Sequence, residues 1–389
     1  MDRKRIQQHI RSLVRLDETS APVISCYLNL DSGIASCRDA FQERAGLLRK
    51  NLDWHERRVY DEAFATINDL MSAAPDADTR GMAIFARGGA SAFLIPLQFD
   101  VPLPTWITVN STPHIYHLEE VTNTYDHFVI VITTEKGIRV WEVNLGKATE
   151  ALWQEIPETH ETEDWKCAKQ QFQSPFWSST GVWLQGAVQV LEVLMSKGGY
   201  EHLILAGDST TRTLMKNAIP ERMAAMVAGV VSESSPVSDV VRAAITSFVQ
   251  HQEMKSLAMV EQLQRQVSVQ GLATTNALHT LNALQASAVD VLVMAQEYKP
   301  APAWQCADCG KVGLDYRQLD WCSLDGRIRR LDLKEEMIRL AELHECAVET
   351  VKHSDVLMRL GGVGAILRCR ESEVIVQPEM AGLGKLRVA

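Results

Sequence analysis

Short apolar runs typical of buried strands alternate with longer amphipathic stretches along most of the chain, and this alternation restricts the fold more than any single motif. The clearest case is "HLILAG" (202–207), which is followed by a helical pattern over 209–216 and by the strand pattern "MVAGVV". Strands that are separated by helices tend to pair side by side in mostly parallel or mixed sheets, with the helices packed on their faces. The sequence therefore predicts the α/β fold class.

The pattern divides the chain into three parts. A length of 389 residues corresponds to two or three domains of ordinary size. We predict three consecutive α/β domains over residues 1–125, 126–248 and 249–389. In the first domain we expect the strand "VISCYLNL", one helical stretch over about 38–72, and the strands "GMAIFAR", "SAFLIPLQF" and "TWITVN". Apolar residues recur at helical spacing in that stretch: Leu47, Leu48, Trp54, Tyr60, Phe64, Ile67 and Leu70.

The second and third domains show the same alternation. "HFVIVITTEKGIRVWEVNLGK" contains two β-rich runs, and we expect an irregular segment over 157–180 before a helix at 182–196. A long helix is predicted over about 237–266. The third domain then has the helix "TNALHTLNALQA", the strand "VDVLVMA", a cysteine-bearing insertion, the helix "LKEEMIRLAELHE", the strand "AVETV" and the glycine-rich "GGVGAILR".

Composition narrows the class of protein. The formal net charge is -10, with 39 basic and 49 acidic residues. A negative net charge argues against a protein that binds nucleic acid non-specifically over its whole surface, but it leaves local basic patches possible. The chain has no apolar run near the ~18 residues that a membrane span requires, and its 8 cysteines are too scattered for a secreted disulfide framework. We therefore expect a cytoplasmic protein with no membrane partner.

The insertion "CADCGKVGLDYRQLDWCSLDG" resembles a zinc ribbon. Cys306 and Cys309 form a C-x2-C knuckle, and Cys322 with Asp325 gives C-x2-D after a gap of twelve residues. Three thiolates and one carboxylate are an allowed but less common ligand set for a structural zinc ion. The alternative is a mutated site that keeps three thiols and binds no metal.

Two groups of aromatic residues are candidates for contact with RNA. The irregular segment interleaves aromatic and basic side chains: Trp165, Lys166, Lys169, Phe172, Phe176 and Trp177. They could stack on the bases of RNA, or they could pack back over the sheet. His114 and Tyr116 could likewise stack on bases or be ordinary strand residues. By contrast, Asp208 or Ser209 after the strand "HLILAG" is better interpreted as a helix cap than as a phosphate cradle.

The order of elements in the third domain resembles the C-terminal domain of the archaeo-eukaryotic peptide-chain release factor and Pelota family. That family has the same succession of a helix, a strand and a cysteine-bearing insertion, and it ends near a "GGIGAILR(Y)" segment. Here "GGVGAILR" is present and Cys369 replaces the final tyrosine. "YEHLILAGDSTTRTLMKNAI" is similar to the middle domain of the family. The acidic chain and its N-terminal domain indicate the bacterial branch, which includes the Balon-type ribosome hibernation factors.

One departure from the family pattern affects the expected function. Release factors of this family position water with a Gly-Gly-Gln tripeptide, and none of the Gly-Gly pairs here (88–89, 198–199 and 361–362) is followed by glutamine. The resemblance therefore implies a protein that is not an enzyme, and that occupies the ribosomal A site and blocks tRNA entry. Alternatives are a Pelota-like rescue factor and a peptidyl-tRNA hydrolase with a replaced catalytic loop.

The resemblance also implies partners for each domain. The N-terminal domain would face the decoding region, and the middle-domain loop would face the peptidyl transferase centre, with its ribosomal RNA and possibly P-site tRNA. The C-terminal domain would contact a translational GTPase, plausibly elongation factor Tu. The residues implied for that contact are Gly364, Ala365, Ile366, Leu367 and Arg368. We expect a monomer.

Overall fold

The computed structural model describes residues 2–16, 19, 21–134, 137–155, 176–232, 236–319 and 328–369, without the side chains of 153–155, 176–183 and 318. The α/β class is confirmed, and the sheets are antiparallel or mixed. The chain divides into two compact units, 1–255 and 256–389. The predicted boundary at 125/126 falls inside the first unit, between two separate sheets, and it stays a prediction. No helix among the described residues is both long enough and apolar enough to span a membrane.

The first sheet is antiparallel throughout, with the order β3-β2-β1-β4. Its strands are β1 (Val23–Asn29), β2 (Gly81–Arg87), β3 (Phe93–Phe99) and β4 (Trp106–Asn110). Two helices, Ile34–Lys50 and Trp54–Ser72, cover one face and bury a core that includes Ile24, Cys26, Phe41, Tyr60, Ile67, Met71 and Ile84. The helices Arg3–Val14 and Tyr116–Thr124 complete this part of the unit.

The single helical stretch expected over 38–72 is wrong, because it consists of two helices. Asp53 ends the connection between them and starts the second helix with a reciprocal capping box, in which the Glu56 amide donates to Asp53 over 2.8 Å and the Asp53 amide donates to Glu56 over 3.0 Å. The helical period does not continue across this break. Leu47 and Trp54, two of the apolar residues in the predicted stretch, are 56% and 72% exposed.

The second sheet of the first unit is mixed, with the order β7-β6-β5-β8-β9. Its strands are β5 (Phe128–Thr134), β6 (Gly137–Asn144), β7 (Lys147–Glu155), β8 (Leu203–Gly207) and β9 (Val227–Ser232). β5, β8 and β9 are parallel, and β6 and β7 are joined by antiparallel pairing. At the β9 edge, Val230 is 51% exposed.

Helices pack on both faces of this sheet. One face buries Val129, Val131 and Leu205 against the helix Phe176–Gly198. The other face buries Ile130 and Ile204 against the first half of the helix Val237–Ser268. Two short helices, Ser209–Ala218 and Glu221–Ala224, connect β8 to β9. The helix expected at 182–196 begins earlier, at Phe176, so the last five residues of the predicted irregular segment 157–180 are helical.

The second unit has a mixed sheet of order β10-β16-β11-β15 and a small antiparallel sheet of order β13-β12-β14. The strands of the larger sheet are β10 (Ala273–Thr275), β11 (Val289–Ala295), β15 (Ala347–Val351) and β16 (Val363–Leu367). The small sheet consists of β12 (Ala303–Cys306), β13 (Val312–Gly313) and β14 (Ile328–Leu331). The helices are Ala277–Gln285, Leu333–Leu343 and Asp355–Arg359.

Candidate functional site

The turn after β8 is a helix cap. The Asp208 carboxylate accepts from the amides of Thr210 and Thr211 over 2.8 and 3.1 Å, and from the Thr211 hydroxyl. Burial alone would raise the pKa of Asp208, but these hydrogen bonds outweigh it and lower the pKa below its ordinary value. A carboxylate therefore occupies the place that a bound phosphate would take. The structure supports the predicted cap and gives no room for the phosphate cradle.

The segment expected to contact RNA is only partly described. Trp165, Lys166, Lys169 and Phe172 lie outside the described residues. Phe176 and Trp177 form the start of the helix Phe176–Gly198, and their side chains are not described. The choice between stacking on RNA and packing over the sheet stays open for this group.

His114 and Tyr116 are not strand residues, and they do not offer ring faces to solvent. Tyr116 begins the helix Tyr116–Thr124, and both side chains are buried. The His114 amide donates to the Ser25 hydroxyl over 2.9 Å, and its carbonyl accepts from the Tyr27 hydroxyl over 2.5 Å. These hydrogen bonds attach the His114 backbone to β1, and the burial of both side chains places His114 and Tyr116 in the core of the first unit. Their stacking on RNA stays a prediction, and it would require both rings to leave this buried position.

The cysteine knuckle is a tight turn at the end of β12. Cys306 is buried and Cys309 is exposed. The Gly310 amide donates to the Cys306 carbonyl over 3.0 Å, and the Cys306 amide donates to the Lys311 carbonyl over 3.0 Å. Gly310 has a φ of 72°, which suits glycine at this position.

This turn fits half of the predicted zinc site. Two thiols at C-x2-C spacing on one turn are a usual half of a structural zinc site. The other two proposed ligands, Cys322 and Asp325, lie outside the described residues. Within the described ranges, no group of three or more His, Cys, Asp or Glu side chains is placed to hold a metal ion. The zinc site stays a prediction.

The "GGVG" segment is explained by close packing. Gly361 and Gly362 have φ values of 103° and 77°. A Cβ atom on Gly362 would lie 2.5 Å from Cδ2 of Tyr298, and one on Gly364 would lie 2.8 Å from Cδ2 of Leu263. These glycines turn the chain after the helix Asp355–Arg359 and bring β16 into the centre of the sheet. The segment is therefore a tight turn before a buried strand.

Most of the residues implied for contact with a GTPase lie inside the sheet. Gly364, Ala365 and Leu367 are buried and Ile366 is half-buried, because β16 pairs on one side with β10 and on the other with β11. The contact with a translational GTPase stays a prediction, and the three buried residues offer little surface to a partner in this conformation. Arg368 is exposed.

The Arg368 guanidinium caps a neighbouring helix. Its Nη2 atom donates to the carbonyls of His344 and Glu345 over 3.3 and 3.2 Å, at the end of the helix Leu333–Leu343. A cation at this end of a helix is favourable. Burial, followed by the charges of Arg368 and Arg339, lowers the pKa of His344, whose ring is hydrogen-bonded to the Ser287 hydroxyl.

The structure shows a basic and aromatic corner between the helices Ile34–Lys50 and Trp54–Ser72 that the sequence analysis did not predict. It consists of Lys50, Trp54, His55 and Arg58, all of them exposed. The apolar pattern had counted Trp54 as one position of a single continuous helix. The sequence signal was the "DWHE" capping box, which restarts the helix at Asp53 and changes its phase.

Comparison with known proteins identifies part of the chain. Residues 113–248 match the model of bacterial archaeo-eukaryotic release factor family 10. The matched range includes the whole β7-β6-β5-β8-β9 sheet, the helix Phe176–Gly198 on one face, and the first twelve residues of the helix Val237–Ser268 on the other. A search of curated proteins found no match.

Several solved structures are similar to this chain at low identity. They include an archaeal translation termination factor, aRF1, with 13% identity over 95% of this chain and 99% of that chain and a TM-score of 0.27. Saccharomyces cerevisiae Dom34 has 10% identity over 76% of this chain and 82% of its own, with a TM-score of 0.41. Archaeoglobus fulgidus Pelota has 12% identity over 74% and 79%, with a TM-score of 0.33. The match over residues 113–248 agrees with the predicted family and identifies that segment of the chain as similar to the bacterial archaeo-eukaryotic release factors.

Proposed function

We propose that this protein binds the ribosome without catalysing a reaction, as a Balon-type hibernation factor. It occupies the A site of idle or stalled ribosomes and blocks the entry of tRNA. One observation carries the proposal: the chain has the release-factor segment over 113–248 but contains no Gly-Gly-Gln anywhere in its 389 residues.

The missing tripeptide affects chemistry more than binding. Hydrolysis of an ester at a fixed site depends on holding water in an attacking position, and small displacements cost large factors in rate. Glycines allow the backbone to approach a substrate closely, and side chains at the same positions would obstruct that approach. The β7-β6-β5-β8-β9 sheet has a buried core on each face, with helices packed against both. The scaffold thus supports a binding role in which release chemistry is lost.

In this proposal a translational GTPase, plausibly elongation factor Tu, contacts the second unit. The contact surface includes Arg368 but excludes the interior strand β16, whose side chains are largely buried. In the same proposal the N-terminal sheet faces the decoding region, and the segment before the helix Phe176–Gly198 faces the peptidyl transferase centre.

Sedimentation tests the binding. The full chain is mixed with vacant bacterial ribosomes at moderate salt and spun through a sucrose cushion, with and without A-site tRNA as competitor. We expect the protein to sediment with the ribosomes and to compete with tRNA. Failure to sediment, or binding that A-site tRNA leaves unchanged, would contradict the proposal.

A second assay separates this proposal from its alternatives. Ribosomes that carry labelled peptidyl-tRNA are incubated with the protein, and both released peptide and subunit dissociation are measured. We expect background release and intact ribosomes. Turnover above background would indicate a hydrolase, and separated subunits in the presence of a splitting factor would indicate rescue.

A further inference from the structure

The corner formed by Lys50, Trp54, His55 and Arg58 contains an exposed aromatic ring that is not part of the hydrophobic core. Trp54 is the first residue of its helix, and its side chain is 72% exposed. Its ring packs only partly on the neighbouring His55 ring, with centroids 3.4 Å apart and an angle of 33° between the planes. One flat face of an indole is thus available at the surface.

Two exposed cations are close to Trp54 along the chain. Arg58 is four residues after Trp54 in the same helix, a spacing that places the two side chains on one face. Lys50 is the last residue of the preceding helix. The Nη2 atom of Arg57 donates to the Lys50 carbonyl over 3.1 Å and so ties the two helix ends together.

The acidic residues of the corner are all engaged elsewhere. Asp53 and Glu56 bind backbone amides in the capping box. Asp61 accepts two hydrogen bonds from Arg49 over 2.6 and 2.7 Å, which lower its pKa. Among the described residues, Lys50 and Arg58 have no ion-pair partner. Residues 44–61 contain five basic and three acidic residues in a chain whose net charge is -10.

We propose that this corner binds single-stranded ribosomal RNA, with an unpaired base stacked on Trp54 and the flanking phosphates bound by Lys50 and Arg58. The proposal rests on the proposed ribosome binding and names one of its contact sites. A flat π face beside cations is the arrangement by which proteins hold unpaired bases, because stacking is independent of sequence and phosphates are anionic. An apolar protein partner would be complementary to the ring but not to two unpaired cations.

Binding of a short RNA to the full chain tests the site directly. The probe is a fluorescein-labelled, unstructured oligoribonucleotide of about twelve nucleotides, followed by fluorescence anisotropy at low salt. We expect Trp54→Ala to weaken binding roughly fivefold or more, since stacking on one aromatic side chain has about that effect. Trp54→Phe should keep part of the affinity. Leu47→Ala is the matched control, because Leu47 is also exposed, at 56%, but has no π face.

Salt dependence tests the two cations. The double variant Lys50→Gln with Arg58→Gln should flatten the slope of log affinity against log salt by about 1.4, or about 0.7 for each lost phosphate contact on a single strand. Glu43→Gln with Asp69→Asn, at exposed positions on the same two helices, should leave the slope unchanged or steepen it. A slope that the double variant leaves unchanged overturns the role of the cations.

Ribosome sedimentation of the same variants distinguishes this site from the general proposal. Weaker binding of Trp54→Ala to both oligoribonucleotide and ribosomes supports the site. Failure of the unaltered protein to bind the oligoribonucleotide overturns the site, even if ribosome binding persists. Loss of ribosome binding with unchanged RNA binding also overturns it, and would indicate a ribosomal protein as the partner. If the unaltered protein binds RNA through Trp54 but not ribosomes, the proposed function fails and the RNA site stands.

Discussion

Gly362 combines two requirements in one residue. Its φ of 77° lies in the left-handed region, and the space next to its Cα is occupied by the Tyr298 ring. Gly310 shares the first requirement, with a φ of 72°, but has no atom within 4 Å of an added Cβ. Substitutions at these two glycines therefore allow the cost of backbone strain to be distinguished from the cost of steric overlap within the same unit.

We expect Gly362→Ala to destabilise the second unit more than Gly310→Ala does. Strain at a positive φ costs about 1 to 3 kcal/mol in both variants. The overlap with Tyr298 adds about 1 to 3 kcal/mol in Gly362→Ala alone. Urea unfolding of both variants measures the difference. Equal losses of stability would show that the Tyr298 ring moves aside at no cost.

His344 should titrate below its ordinary value of 6.5, because burial and then the Arg368 charge disfavour its protonated form. Between the lowered pKa and 6.5 the unfolded chain binds a proton that the folded chain does not. The contribution of His344 to stability is therefore complete above that range and is lost as the pH falls through it. We expect Arg368→Gln to raise the pKa of His344, as followed by NMR of its ring protons. Arg359→Gln, which removes an exposed charge elsewhere in the unit, should leave it unchanged.

The helix break before Trp54 is a feature that the spacing of apolar residues did not predict. Apolar residues recur at helical spacing from Leu47 to Trp54, so the pattern predicted one helix across both. Spacing alone does not reveal that residues 51–53, between the two helices, are not helical. The residues at the break do indicate it. The Asp53 carboxylate and the Glu56 side chain each accept a hydrogen bond from a backbone amide that would donate to a carbonyl in a continuous helix. His114 and Tyr116 were misassigned for a related reason, since burial by a distant strand has no local signature.

At the scale of elements, the strands were the most predictable. "VISCYLN", "LILAG" and "VDVLVMA" are short apolar runs, and each is a central strand whose two neighbours exclude water. Whether two strands pair in parallel or antiparallel fashion was harder to predict from the sequence, because the paired strands are often far apart along the chain. β11 is parallel to β15 but antiparallel to β16 within one sheet.

The capping box should carry measurable stability. Asp53→Ala removes the carboxylate that accepts from the Glu56 amide, and loss of such a cap costs about 0.5 to 2 kcal/mol. Asp69→Ala, an exposed position in the same helix, should change stability by less than about 0.5 kcal/mol. Thermal unfolding compares the two variants. Equal melting temperatures would mean that solvent replaces the cap.

The small β13-β12-β14 sheet is expected to hold one zinc ion per chain, with Cys306, Cys309, Cys322 and Asp325 as its ligands. Zinc content of the purified protein, measured by atomic emission, tests this expectation. Asp325→Ala should reduce the content and Asp308→Ala should leave it unchanged, because Asp308 lies between the first two cysteines and is not a proposed ligand. A metal-free native protein would favour the alternative of three retained thiols.

For the whole molecule, two compact units with their own cores predict unfolding in more than one step. Gly207→Ala should shift only the transition of 1–255, since an added Cβ would lie 1.8 Å from the Thr133 carbonyl oxygen. Gly362→Ala should shift only the transition of 256–389. Calorimetry resolves the steps. A single transition that both variants shift equally would show that the two units unfold together.

The two edges of the β7-β6-β5-β8-β9 sheet differ in how well they resist pairing with another chain. β7 includes Lys147 and Glu150, and charges of this kind discourage a second strand from adding to an edge. β9, "VAGVVS", has no charge and no proline, and Val230 is exposed on it. In concentrated solution this edge is where self-association should begin, and Val230→Lys should raise the concentration at which the protein stays monodisperse.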